Sequence, residues 1–138
     1  MKDRFRFRVW NGIEMHSNDF VVSATGFVCK ITEEFLGNCV FNQEDLTADK
    51  ECVLMQCTGL KDKNGTLIYE GDILKAYYEN SDTGETEFDY VPVGFDDKAA
   101  AFYLGNKHRD FIANGDFIPE EYEVAGNIYE NKELLNDR

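Results

Sequence analysis

Residues 52–79, Cys52-Val53-Leu54-Met55-Gln56-Cys57-Thr58-Gly59-Leu60-Lys61-Asp62-Lys63-Asn64-Gly65-Thr66-Leu67-Ile68-Tyr69-Glu70-Gly71-Asp72-Ile73-Leu74-Lys75-Ala76-Tyr77-Tyr78-Glu79, decide the fold class. The run Cys52 to Cys57 is nearly all apolar, as in a strand covered on both faces. Thr58 to Gly65 reads as a polar connection ending in Asn64-Gly65, a pair suited to positive φ at a turn. Thr66 to Tyr69 is a short strand and Glu70-Gly71-Asp72 a tight corner. Ile73 to Glu79 then continues as a strand rich in β-formers.

The same alternation of short strands and turn residues extends both ways. Downstream, Asn80 to Glu85 is a polar turn containing Asp82-Thr83-Gly84. Thr86 to Phe95 and Ala99 to Leu104 form a hairpin joined at Asp96-Asp97-Lys98, and Pro92 implies an edge position or a bulge. Gly105 to Gly115 is polar and irregular. Tyr122 to Ile128 is the last strand. Asn131 to Leu135 is one closing helical turn that docks Leu134 and Leu135, and the tail beyond it frays. Upstream, Phe5, Phe7 and Val9 alternate with Arg4, Arg6 and Arg8, the period of a half-buried strand with its aromatic side inward. Asn11-Gly12 marks a tight turn. Asp19 to Ser23 and Phe27 to Thr32 are two more strands about a turn at Thr25-Gly26. In 33–50, Cys39-Val40-Phe41 suggests a short strand, and Gln43 to Lys50 a helical turn capped by Asn42. The expected fold is mainly β with little helix: short antiparallel strands forming one or two small, partly open barrels. The organisation is either two lobes, 1–50 and 51–138, with the boundary near 44–52, or one compact domain.

Composition supports a packed core. The 138 residues are 43% hydrophobic and 14% aromatic with only two prolines, well outside the disorder regime. No apolar run approaches the ~18 residues of a membrane-spanning helix. The charged opening Met1-Lys2-Asp3-Arg4-Phe5-Arg6-Phe7-Arg8 lacks the apolar block of a secretory signal, so a cytoplasmic location is expected. Net charge is −13, unevenly spread: residues 1–11 carry +3 and the remainder −16. Such an envelope repels nucleic acid at long range. The acids read as a solubilising surface, with mimicry of a nucleic-acid backbone as the sharper alternative.

Chemistry-bearing constellations are sparse. Cys29, Cys39, Cys52 and Cys57 contain no Cys-x-x-Cys pair and read as reduced thiols among apolar neighbours. His16 and His108 have no nearby Cys or second His, so no metal site is expected. There is no Gly-x-Ser-x-Gly elbow, no phosphate-cradling Gly-rich loop and no His-Glu-x-x-His. The pairs Glu33-Glu34, Glu44-Asp45, Asp96-Asp97 and Glu120-Glu121 do not converge, because adjacent strand residues face opposite sides. No catalytic, cofactor-binding or metal-ligating residue is expected, and the chain reads as a non-enzyme.

Two features stand out. Arg4, Arg6 and Arg8 project from one strand face and are the candidate partner-binding residues. They serve either to protect a solvated edge, to pair with acidic surface in this chain or a second copy, or to contact nucleic acid. The rings Tyr77, Tyr78, Phe88, Tyr90, Phe95, Phe102 and Tyr103 crowd into one meander. Base stacking would need basic residues interleaved with them, and residues 77–103 offer only Lys98 among several acids. The rings are therefore expected to pack the core.

The segment Leu54 to Gly65, followed by Ile68-Tyr69-Glu70-Gly71-Asp72-Ile73-Leu74-Lys75, resembles the signature of the YopX family of phage and prophage proteins. Arg6-Phe7-Arg8-Val9-Trp10 is similar to the family's opening strand. Val124-Ala125-Gly126-Asn127-Ile128-Tyr129-Glu130-Asn131 with Leu134-Leu135 is similar to its closing motif. The resemblance implies a mainly β protein with an SH3-like C-terminal barrel, and it carries over no functional residues. The expected function is that of a phage or prophage accessory protein in the bacterial cytoplasm, acting by protein–protein contact, as a homo-oligomer. Its expected partners are a second copy or a host or phage protein, with no cofactor, no membrane and nucleic acid disfavoured. The alternatives are a nucleic-acid-associated barrel using the Arg stripe, and an acidic inhibitor mimicking a nucleic-acid backbone.

Overall fold

The computed structural model describes residues 5–17, 20–22, 28–35, 38–45, 53–105, 110–112 and 117–136, with backbone alone for those from 20 to 45. The chain is mainly β and divides into two compact units, one of residues 7–56 and one of residues 1–6 with 57–138.

In the unit of residues 7–56, β1 (Phe7–Trp10) pairs antiparallel with β2 (Met15–His16), with Trp10 opposite Met15. The Asn11-Gly12 turn forms as its chemistry dictates: Asn11 Oδ1 accepts from the N–H of Ile13 at 2.9 Å and of Glu14 at 2.8 Å. A second sheet holds β3 (Phe20–Val22), β4 (Val28–Phe35) and β5 (Asn38–Asp45) in that order. Here the expected helical turn at 43–50 is corrected. Gln43, Glu44 and Asp45 are extended in β5, which pairs from Phe35↔Asn38 through to Cys29↔Asp45. Pairing to β4 outweighs the weak local preference of a polar turn; residues 46–50 lie outside the described residues.

Strand β6 (Val53–Lys61) passes from one unit to the other, pairing its first four residues with β1 and its later ones with β7 (Leu67–Tyr69). It runs four residues beyond the expected end at Cys57. A register shift between Cys57 and Lys61 coincides with Gly59 at φ 82°, and the Thr58 hydroxyl donates to the Ile68 carbonyl at 2.8 Å. The apparent polar connection is thus a bulged strand end.

The remaining strands are β8 (Asp72–Glu79), β9 (Thr86–Asp96), β10 (Ala101–Leu104), β11 (Asp110–Phe111) and β12 (Tyr122–Asn127), in the sheet order β11-β10-β9-β8-β12. Strand β9 serves two partners: residues 86–92 pair with β8 and residues 93–96 with β10. The handover falls at Pro92, whose carbonyl accepts from Gly105 N–H at 3.0 Å where the β10 pairing ends. A residue with no N–H of its own suits that position. Shared in this way, β9 curls the sheet into a half-barrel. Its core is Ile68, Leu74, Val93 and Leu104, with Leu60, Val91, Ile112, Phe117, Tyr122 and Val124 packed around them. Each such aliphatic side chain contributes about 1.5–3 kcal/mol by leaving water. Two short 3-10 turns, Pro119–Glu121 and Lys132–Leu135, bracket β12.

Candidate functional site

Three buried polar side chains hold the turns that build the β12–β8–β9 sheet. Asp62 is 4% exposed. Its Oδ1 accepts from Asn64 N–H and Thr66 N–H, both at 2.9 Å, and its Oδ2 from Val124 N–H at 2.8 Å. One carboxylate therefore closes the β6–β7 turn and ties it to β12. Asp72 Oδ2 accepts from Tyr69 N–H at 2.7 Å across the Glu70-Gly71 corner. Gly71 sits at φ 87°, donates to the Val93 carbonyl at 2.8 Å and accepts from Ile128 N–H at 2.9 Å. Asn127 Oδ1 accepts from Tyr129 and Glu130 N–H at 3.0 and 2.9 Å, while Asn131 Oδ1 accepts from Asn127 N–H at 3.2 Å. A Cβ at Gly126 would run into the Asn131 side chain, so that position is closed to larger residues. These are the residues of the two long sequence motifs, and their local role is to make turns.

The clamp has a second effect. Lys63 follows Asp62 directly and donates its N–H to the Tyr122 carbonyl at 3.0 Å. This brings the Lys63 side chain onto the sheet's outer face, with Nζ 4.6 Å from the Tyr77 ring centroid and 3.9 Å from Glu123 Oε2. The register sets the rest of that face. Tyr90 and Glu123 lie opposite Lys75, Phe88 lies opposite Tyr77, and Thr86 opposite Glu79. Tyr77 and Phe88 are 5.8 Å apart, and Phe88 and Tyr90 meet edge to face at 5.3 Å. Lys75 Nζ stands 4.8 Å over the Phe88 ring. The Tyr77 hydroxyl donates to Glu123 Oε2 at 2.8 Å, and that bond, reinforced by the carboxylate's charge, raises the phenol's pKa above its ordinary 10.0. The result is an open three-ring ladder with a lysine over each of two rings and a carboxylate at one edge. Phe88 is 41% exposed.

The expectation that the rings of 77–103 pack the core is corrected. Tyr78, Phe88 and Phe95 are exposed, and the buried cluster is aliphatic. Parity accounts for Phe88, which with Tyr77 and Tyr90 falls on the face opposite Leu74 and Val91; Tyr78 and Phe95 share the parity of the aliphatic face but are not part of its buried cluster. Lys63 and Lys75 escaped the sequence reading because both lie outside the 77–103 window. Laying Ile73 to Glu79 against the following hairpin would have found Lys75; the position of Lys63 needs the Asp62 clamp.

Of the candidate partner-binding residues, Arg6 is exposed, Arg8 is 9% exposed and Arg4 lies outside the described residues. Arg8 therefore does not project into solvent as part of a stripe: β1 is covered on both faces at Arg8 and Val9. The Cys57 thiol is buried and reduced, with Sγ 3.6 Å from the Ile68 carbonyl oxygen. His16 Nε2 lies 3.0 Å from Asn11 Nδ2 and 3.4 Å from Glu14 Oε1. Among the described residues no three His, Cys, Asp or Glu side chains gather as a metal site would require, and no helix is long and apolar enough to cross a membrane. Two open cavities lie elsewhere on the larger unit. One, of about 390 Å³, is lined by Pro92, Gly94, Tyr103, Ile128 and Leu135; the other, of about 310 Å³, by Thr58, Leu60, Phe95, Phe102 and Ile112. Tyr103 is the one ionisable side chain among those linings.

Fold and face together define a small mainly β protein with an open, ring-bearing sheet surface. The chain belongs to the YopX protein family, whose model matches residues 6–136. Among solved structures, the crystal structure of protein YopX from Bacillus subtilis is similar at 24% identity and a TM-score of 0.63, covering 96% of each chain. A protein from Enterococcus faecalis is similar at 24% identity and a TM-score of 0.52, covering 94% of this chain and 96% of its own. These likenesses concern the fold. No curated protein matches the chain.

Proposed function

We propose that this chain is a non-enzymatic phage or prophage accessory protein that acts in the bacterial cytoplasm by protein–protein contact through the outer face of β12–β8–β9. The observation that carries the reading is the ladder Tyr77–Phe88–Tyr90, with Phe88 41% exposed on a regular sheet face. Clustered exposed rings are costly to leave in water and are typical anchors of protein interfaces. The unequal charge of the chain, +3 over residues 1–11 against −16 elsewhere, supports assembly as a homo-oligomer. Sedimentation of the protein and of Arg6→Glu at low salt tests that part. An unchanged monomer in both would remove it.

The test of protein contact is capture from infected or lysogenic host cells with the wild-type chain and with Phe88→Ser. A protein retained by the first, lost by the second and insensitive to nuclease is the expected result. Capture that is abolished by nuclease would sink the reading. A second reading, contact with single-stranded nucleic acid, is favoured by one observation: Lys63 and Lys75 are interleaved with the rings. Against it stand Glu123 in the same cluster and the net charge of −13. Absence of oligonucleotide binding at about 50 mM salt, where electrostatic attraction is strong, would dismiss it.

A further inference from the structure

We infer that the outer face of β12–β8–β9 docks a basic partner, a protein segment that presents arginine or lysine side chains to the Tyr77–Phe88–Tyr90 ladder. This rests on the protein-contact reading and adds the partner's chemistry. Each of two rings already holds a cation from the chain itself: Lys63 Nζ is 4.6 Å from the Tyr77 centroid and Lys75 Nζ 4.8 Å from that of Phe88. The face thus displays its preferred guest. Arginine is the better guest of the two, because its planar, weakly hydrated guanidinium stacks on a ring while still donating hydrogen bonds.

Charge complementarity selects the partner's sign. A body of net charge −13 attracts a basic segment from a distance and repels an acidic one. Close in, Glu123 lies beside Tyr77, and Glu79 is exposed one row beyond the Tyr77↔Phe88 pair. Either carboxylate can receive a guanidinium whose flat face rests on a ring. Lys63 and Lys75 are then internal occupants that a guest must displace. The Lys63 ammonium is held loosely: the Lys63–Glu123 pair is about one-third exposed on both sides, where such pairs contribute little.

Removing one ring without changing the charge separates the inference from simple attraction to an acidic protein. A short arginine-rich peptide is titrated into the full chain, with a glutamate-rich peptide and oligo-dT as comparisons. The expected result is salt-sensitive binding of the arginine peptide alone. Phe88→Ser should weaken it by about fivefold or more, the scale of one partly desolvated cation–ring contact. Lys75→Met, which leaves every ring in place, should tighten it. Arginine-peptide binding indifferent to Phe88→Ser would mean unspecific attraction and overturn the inference, as would weakening by Lys75→Met. Phe88-dependent capture of a protein together with no response to the peptide would overturn the basic partner while leaving protein contact standing. Preferential binding of oligo-dT would sink both. Circular dichroism of each variant confirms that the exposed substitutions leave the fold intact.

Discussion

The two faces of the β12–β8–β9 sheet are built from the same strands by the same alternation, yet they do different work. On the inner face, Leu74 is fully buried among Ile68, Val93 and Leu104, with Val91, Val124 and Tyr122 packed around them. On the outer face, one residue along each strand, Lys75, Tyr77, Phe88 and Tyr90 form a ladder in which Phe88 is exposed and the other three are half-buried. The inner face uses aliphatic groups of modest size that pack together, and the outer face uses large rings that the ladder's own lysines cover only in part. Stability belongs to the first, and the second is the face for which partner contact is proposed. Substitutions should therefore separate them.

The largest effect is expected at Leu74. Leu74→Ala removes a fully buried side chain from the centre of the cluster and should cost about 2–5 kcal/mol by urea denaturation, depending on how far the site collapses. Next comes the clamp beneath both faces. Asn at position 62 keeps one acceptor oxygen where three N–H groups now converge on two, so at least one buried donor loses its partner. Asp62→Asn should cost about 1–3 kcal/mol. It should also release the turn that carries Lys63, seen as a shift of the Tyr77 ring resonances that Leu74→Ala does not reproduce. If Asp62→Asn unfolds at the wild-type midpoint, the clamp is not a structural element and the account of the motif fails.

How much of this was legible depends on which interactions are local. Strands β8 and β12, the Asn80–Glu85 turn and the hairpin of Thr86–Asp96 with Ala101–Leu104 follow from turn residues and β-formers, and they are found where the sequence places them, whereas Asp110–Phe111, in a stretch that reads as irregular, pairs with β10. The strand end at Thr58–Lys61 reads as loop because Thr58, Gly59 and Lys61 look polar or permissive. Its pairing depends on the Ile68 carbonyl ten residues away, which no local pattern reveals. The family motifs were recognisable as motifs, but the work of Asp62 was not, since its third donor, Val124, comes from the last strand. The candidate site failed for a related reason. Counting charges inside the aromatic segment ignores neighbours across the sheet, and the two cations that matter arrive from β8 and from the β6–β7 turn. The Arg stripe shows the opposite error. Alternation correctly separated Arg8 from Val9, but it could not say that both faces of β1 are covered there.

Substitution on the outer face should barely register in stability. Phe88→Ser forfeits the tilted cross-strand pair with Tyr77 and the edge-to-face pair with Tyr90 on its own strand, exposed ring contacts worth about 0.2–1 kcal/mol each. A loss above about 3 kcal/mol would show that the ladder is core after all.

The finest distinction is between the two tyrosines that the faces hold. Both phenols have pKa values raised above 10.0, for different reasons. At Tyr122, on the inner face and stacked on Phe117 at 4.8 Å, burial is the first cause, followed by the charges of Glu121 and Asp110. At Tyr77 the first cause is the hydrogen bond to Glu123. A raised phenol pKa means that the folded chain keeps its proton where the unfolded chain releases it. The associated stability is intact below pH 10 and is lost as pH climbs through the folded-state values. Glu123→Gln should bring the Tyr77 ionisation down toward 10.0 in a tyrosinate absorbance titration, leave Tyr122 where it is, and change neutral-pH stability by less than about 0.5 kcal/mol. Added salt should mimic part of the first change, because the field of a surface carboxylate is screened by salt and desolvation, the first cause at Tyr122, is not. If both phenols moved together, the two faces would share one environment, and the division of labour between them would not hold.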